Sequence, residues 1–126
     1  MKIIIVEDEA AIREGMEGIL KKLSPSYEGI GKAENGREGL SLIRSLRPDV
    51  ILLDIRMPDM DGLSMLGELR EEGIDCQALI LTAYSDFGYA KQALELGVQS
   101  YLLKPVRVGE LKRAMETAEM KNGMSF

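Results

Sequence analysis

Short apolar runs alternate with amphipathic stretches along the whole chain. Four of these runs are almost continuously apolar and end in a polar residue, as is typical of strands in a parallel sheet covered on both faces. They are Lys2–Val6, Val50–Asp54, Ala78–Thr82 and Tyr101–Lys104. A fifth strand is predicted at Ile30–Ala33, where the pattern is weaker.

Five amphipathic helices are predicted between and after these strands, because apolar residues recur there at helical spacing. The first helix carries the apolar stripe Ile12, Met16, Ile19, Leu20 and Leu23, and the third carries the stripe Leu63, Leu66 and Leu69. The second, fourth and fifth helices are predicted at Gly36–Leu46, Asp86–Leu96 and Val108–Met120. Asn35, Asp8 and Asp61 are candidate helix caps, and Gly97 is a candidate helix end. The charged stretch 68–72 is predicted to be a solvated helix face. Strands alternating with helices predict right-handed crossovers and one doubly wound α/β domain.

Polar residues follow the strands at the edge where such sheets place their sites. Glu7 and Asp8 follow the first strand, and Asp54, Thr82 and Lys104 end the third, fourth and fifth. The three carboxylates are expected to converge, and converging carboxylates must take up protons or bind a cation. Ligands that are all oxygen favour a hard ion, either magnesium or calcium.

Composition removes several kinds of chemistry. The 126 residues include no histidine, which excludes a Ser-His-Asp triad, a Cys-His pair and a histidine-ligated zinc site. A net charge of −5 argues against direct nucleic-acid binding. The single cysteine, Cys76, is expected to be a small buried apolar residue in a reducing environment. We expect a cytoplasmic protein, because no apolar run is long enough to span a membrane and the N-terminus lacks a signal-peptide pattern.

The remaining groups suit phosphoryl transfer to a carboxylate. Asp54 is the best candidate nucleophile, since it should lie between the acidic pair and the side of the sheet that carries Thr82 and Lys104. The Thr82 hydroxyl can donate to an anionic oxygen, and the Lys104 ammonium supplies positive charge. Together with a hard metal ion, these groups would offset the charge on the transferred group.

Four motifs carry a family resemblance over nearly the whole chain. They are Val6-Glu7-Asp8-Glu9, Asp54–Gly62, Leu81-Thr82-Ala83 and Tyr101–Pro105. In this order the sequence resembles the receiver domain of bacterial two-component response regulators. The resemblance implies a flavodoxin-like fold with five parallel strands in the order 2-1-3-4-5, five helices, and a receiver domain covering residues 1–126. Leu81–Ala90 resembles receivers of AraC-type transcriptional regulators, whose DNA-binding output domain is absent from this sequence.

The resemblance also assigns roles around a magnesium ion. The position of Asp54 accepts a phosphoryl group from the phosphohistidine of a sensor histidine kinase. Asp8 corresponds to a direct magnesium ligand, and Glu7 to one that usually acts through water. The backbone carbonyl of Arg56 corresponds to a further ligand. We expect no turnover enzyme, because the implied chemistry is the addition and loss of the domain's own phosphoryl group.

The implied switch involves Thr82 and Tyr101, which move after phosphorylation, while Lys104 pairs with the phosphoryl oxygens. The Lys104–Pro105 bond resembles one that is cis in the family. These shifts would remodel the face formed by the fourth helix, fifth strand and fifth helix, with control of transcription as the expected output. Whether that face also forms a homodimer is left open.

Three other functions compete with this interpretation. A metal-dependent phosphatase with an aspartyl nucleophile requires a second carboxylate two residues after the nucleophile. That position is occupied here by Arg56, which argues against this function. A flavodoxin-like cofactor binder would share the fold, but the acidic first loop would repel a phosphate group. A stand-alone receiver, or an interaction domain that works without phosphorylation, stays the alternative to a phosphorylated switch.

Overall fold

The computed structural model describes residues 1–123, so that residues 124–126 of the predicted domain lie outside the described part. All ten predicted elements are present in the predicted order. The strands are β1 Lys2–Val6, β2 Glu28–Ala33, β3 Val50–Leu53, β4 Gln77–Thr82 and β5 Ser100–Leu103. The helices are α1 Ala10–Leu23, α2 Gly36–Leu46, α3 Gly62–Glu71, α4 Phe87–Glu95 and α5 Val108–Gly123. No helix within residues 1–123 is both long and apolar enough to cross a membrane.

The five strands form one parallel sheet in the order β2-β1-β3-β4-β5, which confirms the predicted order. Val6 pairs with Leu53 at the ends of β1 and β3, and Thr82 pairs with Leu103 at the ends of β4 and β5. Residues that follow these pairs therefore emerge at one edge of the sheet. This register, set by the buried strands, positions the candidate site.

Each face of the sheet has its own apolar core, which explains why the strands are apolar without alternation. On one face, Ile4, Val6 and Leu53 pack with α2 and α3. On the other face, Ile3, Ile5 and Leu52 pack with α1 and α5. The predicted burial of Cys76 is confirmed, and this residue belongs to the first core.

Two of the three predicted helix caps are confirmed. Asn35 Oδ1 accepts a hydrogen bond from the Glu38 backbone N–H at 2.8 Å, and Asp61 Oδ1 accepts one from the Ser64 N–H at 2.8 Å. The prediction that Asp8 caps α1 is wrong. The helix begins one residue later, after Glu9, and no side chain caps it there.

The prediction that the stretch 68–72 is solvated is wrong for Arg70. Its guanidinium is half-buried and donates to three backbone carbonyl oxygens at 2.9–3.0 Å, those of Ile74, Cys76 and Leu96. Arg70 thereby ties the end of α3 to the loops before β4 and after α4. The planar fork of arginine allows this, because its N–H groups can reach several acceptors at once.

A buried tyrosine gives a prediction about alkaline pH. The Tyr27 hydroxyl donates to Glu119 Oε2 at 3.3 Å, and burial, with Glu119 beside it, raises the pKa of Tyr27 to about 12. An unfolded tyrosine has a pKa of about 10. The folded state therefore retains the proton over a range in which the unfolded state loses it. Stability present below about pH 10 should decline by about 1–2 kcal/mol as the pH rises towards 12.

Chemical denaturation across this range checks the expectation about Tyr27. Tyr27→Phe should flatten this part of the pH profile, whereas Tyr84→Phe, at an exposed position, should leave it in place. An equal slope in wild type and Tyr27→Phe would contradict the assignment.

Candidate functional site

Three carboxylates converge at the carboxyl edge of the sheet, as the strand ends predict. One oxygen from each of Glu7, Asp8 and Asp54 lies within 4.8 Å of the other two. Glu7 and Asp54 are buried, whereas Asp8 is exposed. The cluster therefore has a buried floor and a side open to solvent.

Lys104 bridges two of these carboxylates. Its Nζ donates to Glu7 Oε1 at 2.5 Å and to Asp54 Oδ2 at 3.0 Å. Burial by itself lowers the pKa of Lys104, but the hydrogen bonds to Glu7 and Asp54 outweigh burial and raise it. Burial also disfavours the charged form of Glu7 and therefore raises the pKa of this carboxyl group. The hydrogen bonds from Lys104 and the Glu9 N–H offset this effect only in part. The peptide bond between Lys104 and Pro105 is cis, as the resemblance implied.

The carboxylate of Asp54 is held on both sides. Its Oδ1 accepts a hydrogen bond from the Ile55 backbone N–H at 2.7 Å, and its Oδ2 accepts the bond from Lys104. Asp54 follows β3 directly, and its own backbone N–H donates to the Val6 carbonyl at 3.1 Å. The buried sheet edge thus fixes the orientation of this side chain.

The two predicted switch residues meet at Tyr84. Thr82 is buried, and its Oγ1 accepts a hydrogen bond from the Tyr84 N–H at 3.3 Å. The Tyr101 hydroxyl donates to the Tyr84 carbonyl oxygen at 2.7 Å. Burial raises the pKa of Tyr101, which favours the protonated form of the phenol that donates this bond. The structure therefore links Thr82 and Tyr101 through the backbone of the β4–α4 loop.

Arg56 lies beside this loop as well. Its guanidinium carbon is 4.8 Å from the centre of the Tyr84 ring, within the range of a cation–π contact. Both side chains line a polar pocket of about 400 Å³. Sequence reasoning did not predict this stack, and the role of the Arg56 backbone carbonyl as a metal ligand stays a prediction.

Sequence reasoning also missed Arg13. The side chain of this residue in the first turn of α1 is only 11% exposed, and its Nη1 donates to the Glu7 backbone carbonyl at 2.7 Å. The available signal was a charged residue directly beside Ile12, on the edge of the apolar stripe of α1. This signal places Arg13 at the boundary of the apolar face but does not identify the carbonyl group that it reaches.

The donor set fits a magnesium ion. Three carboxylates face one ammonium group, which leaves two negative charges formally uncompensated in the cluster. All the side-chain donors are oxygen atoms, which magnesium prefers. Glu7, Asp8 and Asp54 are therefore the residues that would hold the ion.

Comparison with known proteins defines the class to which this fold and this site belong. Residues 3–116 match the family model of the response regulator receiver domain, and the chain belongs to this family. The flavodoxin-like cofactor binder that shares the fold is thereby set aside.

Individual relatives agree with this assignment. The chain is 36% identical over 122 residues to the transcriptional regulatory protein YesN of Bacillus subtilis, covering 95% of the chain and 33% of that protein. It is 36% identical over 132 residues to the transcriptional regulatory protein HptR of Staphylococcus aureus, covering 99% and 52%. The solved REC domain of AraT, a response regulator from Geobacillus stearothermophilus, is 34% identical with a TM-score of 0.84, covering 99% and 98%. The chain thus spans about a third to a half of the length of these two curated relatives.

Proposed function

We propose that this receiver domain is a phosphorylation-controlled switch, and that Asp54 accepts a phosphoryl group from the phosphohistidine of a sensor histidine kinase. The observation that carries the proposal is the position of Lys104, whose ammonium bonds both Asp54 and Glu7 within the carboxylate cluster. A lysine held there provides positive charge beside the candidate nucleophile. The donor histidine lies outside these 126 residues, which contain no histidine.

In the proposed step, a carboxylate oxygen of Asp54 attacks the phosphorus of the donor. The new O–P bond forms as the P–N bond breaks, and the electron pair of that bond stays on the imidazole of the kinase. Glu7, Asp8, Asp54 and the Arg56 carbonyl would hold magnesium, which offsets charge on the transferring oxygens when bound. Lys104 keeps its contact with this side of the cluster and pairs with a phosphoryl oxygen.

The response of the fold would begin at Thr82. Its hydroxyl proton is available for a phosphoryl oxygen, since Oγ1 here acts as acceptor for the Tyr84 N–H. Movement of Thr82 towards Asp54 would draw the β4–α4 loop with it and disturb the bond from Tyr101 to the Tyr84 carbonyl. Tyr101 could then turn inward, which changes the face formed by α4, β5 and α5.

We further propose that this face controls a DNA-binding output domain in the full-length protein, as the names of YesN and HptR suggest. Phe87 and Leu94 on α4 and Leu103 on β5 are exposed apolar side chains on this face. A second copy of the chain or the output domain could cover them. The domain itself would act as a switch and not as a turnover enzyme.

Incubation with magnesium and acetyl phosphate tests the phosphorylation proposal. Intact-mass spectrometry should show one added phosphoryl group, and peptide mapping should place it on Asp54. Chelation of magnesium should prevent the addition. A protein that gains no phosphoryl group, or gains it on another residue, would favour the alternative of an interaction domain that works without phosphorylation.

A second prediction concerns Lys104. Lys104→Ala should still bind magnesium, because the three carboxylates remain, but phosphorylation should be slower by about 100-fold because one charged donor to the transferring group is lost. NMR shifts of the α4–β5–α5 face on phosphorylation should also be largely lost. Lys112→Ala, on the exposed surface of α5, is the matched control. A wild-type response in Lys104→Ala would refute the role of this lysine.

A further inference from the structure

We propose that Arg13 is a positioning residue for magnesium binding, holding the β1–α1 loop (residues 7–9) in the geometry that the carboxylate cluster requires. Its Nη1 donates to the Glu7 carbonyl at 2.7 Å, and its Nη2 lies 3.6 Å from Glu34 Oε1. The inference rests on the proposed magnesium site at the cluster. It adds a residue that is not itself a ligand.

The structure of the loop explains why such a residue is needed. Glu9, which precedes α1, makes no side-chain capping bond, so the start of the helix does not fix the loop in the usual way. On the strand side, the Glu7 N–H donates to the Ala33 carbonyl at 3.0 Å. On the helix side, Arg13 donates to the backbone carbonyl oxygen of Glu7. Both backbone polar groups of Glu7 are thereby held.

The contact has consequences for two carboxylates at once. Glu7 and Asp8 are consecutive, so fixing the peptide unit between them limits where both side chains can point. Glu7 is 1% exposed, and truncation of Arg13 would leave its carbonyl buried without this charged donor. The guanidinium also contacts Glu34 of the β2–α2 loop, which braces the β1–α1 loop from a second side.

Asp54 is held independently of Arg13. It follows β3, and its carboxylate is oriented by Ile55 and Lys104. Loss of Arg13 should therefore weaken the binding of the ion much more than it slows transfer to Asp54 once the ion is bound. A loss of magnesium affinity without a matching loss of the transfer rate would distinguish a positioning role from general damage to the fold.

Isothermal titration calorimetry with magnesium chloride tests the inference on the 126-residue chain. The dissociation constant should rise by about 10- to 100-fold in Arg13→Ala, as is usual when the partner of a metal ligand is removed. Arg13→Lys, which keeps a charged donor, should recover much of the affinity, and Arg13→Gln less. Arg44→Ala should bind magnesium like wild type, because Arg44 pairs with Glu68 and Glu72 between α2 and α3.

A second measurement is the rate of phosphorylation by acetyl phosphate at saturating magnesium. It should return close to the wild-type rate in Arg13→Ala. Wild-type magnesium affinity in a folded Arg13→Ala, or a rate at saturation reduced as much as the affinity, would overturn the positioning role. If Arg13→Ala does not fold, wild-type affinity in Arg13→Gln would overturn it equally. Failure of the wild-type protein to bind magnesium would instead overturn the proposed function, and the positioning role with it.

Discussion

Asp54→Ala is expected to abolish the magnesium-dependent addition of a phosphoryl group from acetyl phosphate. Asp54 is the carboxylate of the cluster that follows the central strand β3 and is oriented by a backbone N–H and by Lys104. Glu7 accepts a matching pair of bonds, from Lys104 and from the Glu9 N–H, but it is 1% exposed against 7% for Asp54 and is therefore less accessible to a phosphodonor. Intact-mass spectrometry after a timed incubation gives the phosphorylated fraction directly.

Asp61→Asn is the matched control for the Asp54 variant. Asp61 lies in the same loop region but is exposed and caps α3, and asparagine serves equally well as a cap. This variant should be phosphorylated like wild type. Phosphorylation of Asp54→Ala at the wild-type rate would show that the nucleophile is elsewhere. Circular dichroism of both variants establishes that the fold is retained.

The fold was predictable because its strongest signals are local. Residues 3–6 and 50–53 are buried on both faces of the sheet, so their apolar runs mark strands without ambiguity. The weakest prediction was the start of β2, which begins at Glu28 and not at Ile30. Gly29 and Gly31 interrupt the apolar pattern there, and pairing with β1 makes the segment a strand despite its composition.

The composition of the site was also predictable, since parallel strands deliver their last residues to one edge of the sheet. Its internal contacts were not. Lys104 and Glu7 are 97 positions apart, and their contact depends on the register of three strand pairs between β1 and β5. Whether Asp8 or Glu9 precedes the first helical residue depends on the path of the loop, which residue types do not determine.

Arg70 and Arg13 show a further limit of sequence patterns. A charged residue in an amphipathic helix is usually assigned to solvent, but arginine has a long apolar stem that can be buried while its N–H groups reach distant acceptors. Both residues use these groups on backbone carbonyls. Such acceptors leave no trace in the sequence, because every residue has a carbonyl.

Gly62→Ala is expected to give the largest loss of stability among the single substitutions considered, about 3 kcal/mol. A Cβ at this position would lie 2.0 Å from the carbonyl oxygen of Asp54 and 2.8 Å from a methyl carbon of Leu53. The Gly62 N–H also donates to the Ile55 carbonyl at 2.7 Å, so the start of α3 cannot move away without losing this bond. The glycine therefore permits the close approach of α3 to the backbone of Asp54.

Urea denaturation measures this effect, with Gly67→Ala as the control on the same helix. A Cβ at Gly67 meets nothing within 4 Å, so alanine there should stabilise the protein by about 0.5–1 kcal/mol through its better helix propensity. If the two Gly→Ala substitutions change the free energy of unfolding in opposite directions, the loss at Gly62 is due to packing against Asp54 and not to helix propensity. Equal stability of the two variants would contradict the close packing of α3. Because the clash falls on the Asp54 backbone, any folded Gly62→Ala protein should also accept the phosphoryl group more slowly than Gly67→Ala.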